Sequence, residues 1–209
     1  MKFLKMFSLA AVAAAALTAL LGVGSASATV LCQTNMTTGC AANSLDYNAG
    51  TIIDLSLTGS LVLETLGDEP LKTCTGSTIK GKTTNTGSAT ETVKGVIEQF
   101  TLAGCTKPAI VVKNGEFEIH HVTGQHGAGN GTLTLRNVEI TTDGIFGTSC
   151  IYGSGTGLNM GVIKGGNPAS IGISTVMPRI AGGFLCPAEA RLTATYDITS
   201  PIPAYVAES

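Results

Sequence analysis

The sequence predicts an all-β fold, an antiparallel β-sandwich of many short strands that disulfides cross-link. Segments that alternate apolar and polar residues recur along the chain, and Gly, Asn and Asp separate them. Thr, Ser, Ile and Val are abundant, and β-branched residues fit a pleated sheet. After the first 28 residues, we find no apolar pattern with a helical period long enough for a helix.

The first 28 residues have the features of a secretory signal peptide. Lys2 and Lys5 supply a positive start, Ser8–Val23 is an apolar stretch, and Ala26–Ala28 offers small residues for cleavage. We expect cleavage after the last of these alanines, with residues 29–209 forming a single β-sandwich domain. The apolar stretch is too short for a retained membrane anchor, because a spanning helix needs about 20 apolar residues.

The charge balance narrows the range of partners. The chain has 12 basic and 14 acidic residues, and loss of Lys2 and Lys5 takes the net charge from −2 to a formal −4. Without a basic cluster, neither nucleic acid nor anionic lipid is expected as a partner. An outer-membrane barrel is disfavoured because the aromatic residues are too few for two girdles. A surface or extracellular partner, or self-association, remains open.

The first strands are predicted between residues 51 and 102. Thr51–Thr58 alternates apolar and polar residues, which is typical of a half-buried strand. Leu61–Leu66 continues this strand or forms a second one, and Gly67–Pro70 is a turn. Two further strands follow at Thr73–Lys80 and Thr90–Leu102.

A β-hairpin is predicted next. Ala109–Val112 and Glu116–Thr123 flank Lys113–Gly115, and Asn-Gly is the strongest short hairpin signal. A single longer strand, Thr132–Thr142, follows.

Three strands complete the set at Ile151–Ile163, Ala169–Val176 and Arg191–Thr199. Alternate residues of the last strand share one face, which we expect to be core: Leu192, Ala194, Tyr196 and Ile198. Pro201–Val206 is expected to dock as an edge strand or cap, because its two prolines remove backbone donors.

Six cysteines are expected to form disulfides, since export places them in an oxidising compartment. Six thiols allow many connectivities, but the spacing favours three sequential pairs. These pairs are Cys32–Cys40, Cys74–Cys105 and Cys150–Cys186. A zinc site is the competing interpretation, and the chain lacks the C-x-x-C spacing typical of one.

An internal duplication is also suggested. Gly50–Cys105 and Gly131–Cys186 share an order of features: Gly-Thr, a strand, a Cys that opens a strand, and a Gly-containing ending at a second Cys. Chance similarity among Gly- and Thr-rich strands is the alternative.

Candidate chemistry is confined to one region. On a strand, Glu116, Glu118 and His120 project to one face and His121 to the other. A metal site would use His120, His126 and a carboxylate such as Glu118. No HExxH motif is present, so a solvated strand face is favoured. The sequence predicts neither catalytic residues nor a cofactor, since it has no G-x-S-x-G elbow and no phosphate-binding G-K-[ST] motif.

The C-terminal third resembles a group of uncharacterised bacterial secreted β-proteins. The resemblance rests on Gly147-Thr-Ser-Cys-Ile-Tyr-Gly-Ser-Gly-Thr-Gly157, Met177-Pro-Arg-Ile-Ala-Gly-Gly-Phe-Leu-Cys-Pro187 and Ala194-Thr-Tyr-Asp-Ile-Thr-Ser-Pro-Ile-Pro-Ala-Tyr-Val206. It extends back to Cys74-Thr-Gly-Ser-Thr and so covers most of the exported chain. The group implies export and β-structure and brings no established activity.

Two positions depart from that group. Its closing motif resembles Trp-Thr-Ala-Thr-Tyr followed by Ser-Pro-x-Pro-Leu-Tyr-Val. Here Arg191-Leu192 replaces the Trp-Thr start and Ala204 replaces the Leu. The edge of the core is expected to be remodelled at these positions.

Two functions follow from these observations. The favoured one is a secreted or cell-surface, non-enzymatic structural or binding β-domain of unknown ligand, located outside the cytoplasm in the cell envelope, periplasm or medium. The alternative is a secreted hydrolase or metal-dependent enzyme. The residues it would use are His120, His121, His126, Glu116 and Glu118.

Overall fold

The structure is a computed structural model that describes residues 28–36, 38–40, 45–107, 110–121, 129–143 and 148–209. Every regular element of more than one residue in these ranges is a β-strand, which confirms the all-β class. Within them, no helix is long and apolar enough to cross a membrane. The signal peptide stays a prediction, because residues 1–27 lie outside the described part.

Thirteen strands are described. They are β1 Val30–Cys32, β2 Ile52–Glu64, β3 Pro70–Thr83, β4 Val93–Cys105, β5 Ile110–Lys113, β6 Glu116–His120, β7 Gly131–Arg136, β8 Glu139–Asp143, β9 Ser149–Gly153, β10 Leu158–Lys164, β11 Ser170–Ala181, β12 Glu189–Ser200 and β13 Tyr205–Ala207.

Eight of these strands close into an antiparallel barrel. The order around the barrel is β2-β3-β4-β6-β7-β10-β11-β12, and β12 returns to β2. The closing ladder pairs Gly161 through Lys164 of β10 with Ile173 through Ser170 of β11. The predicted sandwich is therefore not confirmed, because this ladder joins the sheet to itself where a sandwich would leave two separate sheets.

Five long strands, β2, β3, β4, β11 and β12, continue beyond the barrel. Past its β10 partner, β11 pairs with β9 through Arg179 and Ala181, and β9 continues the sheet to β8 and β5. This part curls back, so that β5 lies beside β4 and β8 beside β3. We call the far ends of the five strands, together with β5, β8 and β9, the far sheet.

Two breaks allow the chain to pass between the barrel and the far sheet. Thr132–Thr142 was expected to be one strand, but it divides into β7 and β8 at Asn137, whose φ is +55°. Ile151–Ile163 likewise divides into β9 and β10. The two breaks bind each other: the Asn137 N–H donates to the Gly155 carbonyl (2.8 Å) and the Val138 N–H to Ser154 Oγ (2.9 Å).

The predicted hairpin around Lys113–Gly115 is wrong. β5 pairs with β8, whereas β6 pairs with β4 and β7. The turn is present, with Gly115 at a φ of +74°, but it binds β4 instead of aligning its own two strands. The Ile97 N–H donates to the Gly115 carbonyl (3.0 Å), and Asn114 Nδ2 donates to the Glu98 carbonyl (2.9 Å).

The three disulfides join the sequential pairs that the spacing favours. Cys74–Cys105 links neighbouring positions of β3 and β4, and Cys150–Cys186 attaches β9 to the loop after β11. Cys32–Cys40 joins the last residue of β1 to the segment that follows this strand. Three disulfides are compatible with an oxidising compartment.

The expected duplication is not found in the strand order. Cys74–Cys105 lies within three consecutive, neighbouring strands, β2-β3-β4. Cys150–Cys186 instead joins β9, between β8 and β11, to a segment that follows β11. The two segments therefore form different supersecondary units.

A cap closes one end of the barrel. It consists of residues 29–32, which include β1, and residues 201–207, which include β13. β1 and β13 pair antiparallel, with Leu31 opposite Val206. The cap packs closely on the rim, because a Cβ at Gly131 would lie 2.8 Å from a methyl carbon of Val206. The expected docking of Pro201–Val206 is confirmed, and this segment covers the barrel's end.

Candidate functional site

A cavity of about 60 Å³ lies inside the barrel, next to the cap. Its wall is made mainly of inward-facing aliphatic side chains from all eight barrel strands, and the cap covers one end. The lining residues are Leu31, Ile53, Leu55, Ile79, Gly81, Ile97, Phe117, Ile119, Leu133, Leu135, Ile163, Ile171, Ile173, Tyr196, Ile198, Pro201, Ala204, Tyr205 and Val206. Among the described residues, none that lines the cavity is charged.

The alternation of each strand explains why the lining is apolar. On β6, Phe117 and Ile119 point inward and are buried, whereas Glu116, Glu118 and His120 point outward. On β12, alternate residues from Leu192 to Ile198 are buried, so the predicted core face is confirmed. The barrel therefore has an apolar inside and a polar outside.

Glycines on two neighbouring strands decide where one large side chain lies. Gly81 of β3 and Gly95 of β4 leave the inner wall bare, and the Phe117 ring covers both. A Cβ at Gly95 would lie 2.1 Å from Phe117 Cζ, so this ring position requires glycine there. An eight-stranded barrel is just wide enough to be filled by side chains or to hold one small ligand. Here Phe117 occupies one side of the interior and part of the rest stays open.

Tyr196 lies farther from the cap than Ile198. Its ring lines the cavity, and its hydroxyl group is hydrogen-bonded. Ser77 Oγ donates to the Thr101 carbonyl (2.8 Å) and lies 2.8 Å from Tyr196 Oη. Because serine has one proton to donate, Tyr196 must donate to Ser77. Burial raises the pKa of Tyr196 to about 12, although the Ser77 hydrogen bond lowers it somewhat. The side chain is thus a neutral donor at physiological pH.

The cap is held over the cavity by scattered hydrogen bonds. The Val206 N–H donates to the Gly129 carbonyl (2.9 Å), and Ala204 and Gly166 exchange two backbone bonds of 3.0 Å. Tyr47 Oη donates to the Pro203 carbonyl at 2.6 Å. The two cap–barrel bridges are isolated, unlike the continuous ladders of the wall.

The candidate residues of β6 form an ion-pair cluster on the outer wall. Glu118 Oε2 lies 3.1 Å from Arg136 Nη2 and 3.6 Å from His120 Nε2. Burial lowers the pKa of His120; the Glu118 carboxylate opposes this and Arg136 adds to it. Arg136 also donates to the Thr156 carbonyl. This cluster faces away from the cavity.

The remaining candidates do not join that cluster. His121 is buried on the opposite side, and its backbone N–H donates to Thr29 Oγ1 at 2.9 Å. Glu116 is exposed and pairs in register with Arg136. His126 lies outside the described residues, so the predicted metal set stays a prediction.

One group of three possible metal ligands lies close together among the described residues: Cys32, Cys40 and Asp46. The two sulfurs are joined in a disulfide, so they are not available as thiolate ligands. This group therefore does not fit a metal centre.

Sequence reasoning did not find the cavity. Its residues were recognised only as alternating apolar positions, such as Ile53 and Leu55, and alternation does not show whether an interior is full. The available signal was the pair of inward glycines, Gly81 and Gly95, opposite a strand that carries one phenylalanine. No protein-family model, curated protein or solved structure matches the chain.

Proposed function

We propose that this chain is an exported, non-enzymatic binding protein whose ligand occupies the interior of the barrel. The observation that carries the proposal is the cavity, which apolar residues enclose on the wall and the cap covers at one end. Sites for small molecules are concave and mostly apolar. The resemblance to bacterial secreted proteins and the three disulfides support a location outside the cytoplasm.

The apolar lining of the cavity favours a binding function over a catalytic one. Apolar lining gives water no hydrogen-bond partner, so transfer of an apolar group into the cavity is favourable. Acid–base catalysis and nucleophilic catalysis need titratable or nucleophilic groups beside the substrate. The polar candidates Glu118, His120 and Arg136 lie on the outer wall instead.

Filling the cavity tests the proposal. Leu133→Phe adds a ring at a lining position and should abolish binding of an apolar probe, xenon, while the protein stays folded. Leu63→Phe is the matched control, because Leu63 is also buried but lies in the far sheet, opposite Lys72 and Leu192. It should retain binding and lose about 1–3 kcal/mol of stability through overpacking.

NMR spectra of isoleucine methyl groups give the readout. Binding in the barrel shifts the methyl signals of lining residues such as Ile53, Ile79 and Ile171, and leaves Ile140 of the far sheet unchanged. If xenon shifts no lining methyl group in the parent protein, or binds the Leu133→Phe variant as well as the parent, the proposed function is wrong.

A further inference from the structure

Two glycines lie at inward-facing positions of the barrel wall, among large aliphatic side chains. Gly81 is on β3 and Gly95 is on β4, and both lie inside their strands. Glycine in a strand weakens it and often marks a place where another group approaches closely. The group that approaches here is the Phe117 ring. A Cβ at Gly81 would lie 3.0 Å from a carbon of this ring, and a Cβ at Gly95 would lie closer still.

Strand pairing explains why the ring lies against this part of the wall. Phe117 of β6 is directly opposite Gly95 of β4, and Gly81 is on the next strand, β3. On its other side, Phe117 is opposite Leu135 of β7, whose side chain is buried in the interior. Because the glycines leave room and Leu135 does not, the ring extends over β4 and reaches β3. Side chains at the two glycine positions would force it toward the middle of the barrel.

The space that remains beside the ring is small. The cavity has a volume of about 60 Å³, and Phe117 and Gly81 both line it. An apolar cavity of about 150 Å³ can hold benzene or xenon. A molecule larger than its cavity must displace closely packed side chains, which is unfavourable. Benzene is therefore not expected to fit while the ring is in place, whereas a single xenon atom is smaller.

We propose that Phe117 determines the size of the ligand and restricts it to apolar molecules smaller than benzene. This inference rests on the proposed function and specifies its ligand class. The side chain of Phe117 ends in a ring of the size of benzene, so its removal would free a space for benzene next to the existing cavity. Gly81 and Gly95 keep the ring against the wall, and the rest of the interior stays open for the ligand.

Removing the ring tests the size limit. In Phe117→Ala, benzene should bind and shift the methyl signals of Ile53, Ile79 and Ile171, with a Kd at least about 10-fold below that of the parent protein. Met177→Ala is the matched control, because it also removes a large buried side chain, but in the far sheet. Benzene should shift none of these three signals in the control.

The outcomes of this test are distinct from those of the proposed function. If benzene does not bind Phe117→Ala, or if it binds the parent as tightly as this variant, Phe117 does not set the size limit. The same conclusion follows if benzene shifts the lining methyl signals equally in Met177→Ala. Each of these results would leave xenon binding by the parent, and with it the proposed function, intact.

A second variant gives a result even if loss of the ring disturbs folding. Gly81→Ala adds one methyl group 3.0 Å from Phe117 Cε1, so the ring must move toward the open space. We expect its xenon affinity to fall at least about 3-fold, by titration of the same methyl signals. Gly172→Ala is the matched control, because Gly172 is exposed on barrel strand β11 and a Cβ there would meet no atom within 4 Å. It should keep the parent affinity.

Combining the two substitutions shows what the ring contributes. Phe117→Ala/Gly81→Ala should bind xenon more tightly than Gly81→Ala alone, because no ring limits the space. Equal xenon affinity of these two variants, or of Gly81→Ala and Gly172→Ala, would overturn the proposal. Absence of xenon binding in the parent protein is a separate outcome, which would remove the proposed function and this inference with it.

Discussion

The barrel and the far sheet share five long strands, yet their interiors differ. The far sheet is filled by large side chains, including the fully buried Tyr152 and Met177, and two disulfides cross-link it. The barrel interior is lined mostly by Ile and Leu and keeps an open cavity.

The comparison suggests that the two ends of each long strand have different roles, a division of labour between stability and binding. Cross-links and dense packing stabilise the far sheet, so the barrel can leave part of its interior open without losing the fold. Each missing contact in a cavity has a cost in stability, because its lining atoms lack partners. The cap partly offsets that cost by shielding the lining from water.

Deleting the C-terminal segment should have the largest effect. Truncation after Ser200 removes the buried Ala204, Val206 and Ala207, leaves β1 without its partner and uncovers Leu31. Burial of the Val206 and Leu31 side chains alone predicts a loss of about 4 kcal/mol or more. Urea denaturation of the exported chain measures it.

The matched control for this truncation is Phe184→Ser, at a side chain that is 93 % exposed in the loop after β11. We expect its stability to stay within about 0.5 kcal/mol of the parent value. A truncated protein with the parent's urea midpoint would show that the cap does not stabilise the barrel.

Removing disulfides should have the next largest effect on stability. The size of the effect should differ between the far sheet and the cap of the barrel. Cys74 and Cys105 are 31 residues apart, so replacing both by Ala should cost about 4 kcal/mol on the loop-entropy estimate. The same change at Cys32 and Cys40, which are 8 apart, should cost about 2.5 kcal/mol.

Ligand binding tells whether the far sheet acts independently of the cavity. The Cys74→Ala/Cys105→Ala protein should keep the parent affinity for xenon when it is folded, since this cross-link lies in the far sheet. A large loss of affinity together with native spectra would contradict the division of labour.

Local features of the fold were predictable from the sequence because they depend on local physics. Period-2 alternation placed β2 and the buried face of β12, from Leu192 to Ile198, and the cysteine spacing indicated the disulfide pairs. The outward face of Glu116, Glu118 and His120 followed from the same rule.

Strand neighbours were not predictable, because they depend on contacts that are distant in sequence. The Asn114-Gly115 turn does not form the expected hairpin, because the Gly115 carbonyl and the Asn114 side-chain amide bond to β4 instead. The break at Asn137 is stable because a second break, around Ser154, binds it. Barrel closure and the cavity both follow from such pairings, so a pattern read along one strand could not reveal them.

The Tyr196–Ser77 pair lies between the two regions, and its removal at neutral pH should give the smallest of the three effects on stability. The pKa of Tyr196 rises from 10.0 to about 12 in the folded protein, chiefly through burial. Above pH 10 the unfolded chain loses this proton while the folded chain keeps it, so the unfolded state binds fewer protons and stability falls as pH rises. The contribution is fully present below pH 10 and amounts to about 3 kcal/mol, of which about half should be lost by pH 11.

Tyr196→Phe isolates this contribution from the titration of other groups. Comparing urea denaturation of the parent and the variant between about pH 9 and pH 11 should show a steeper decline for the parent. The variant itself should lose about 1 kcal/mol at neutral pH, since Ser77 keeps its bond to the Thr101 carbonyl and only one hydrogen bond disappears. Parallel declines in the two proteins would mean that the Tyr196 hydroxyl reaches solvent in the folded protein, which would contradict its burial beside the cavity.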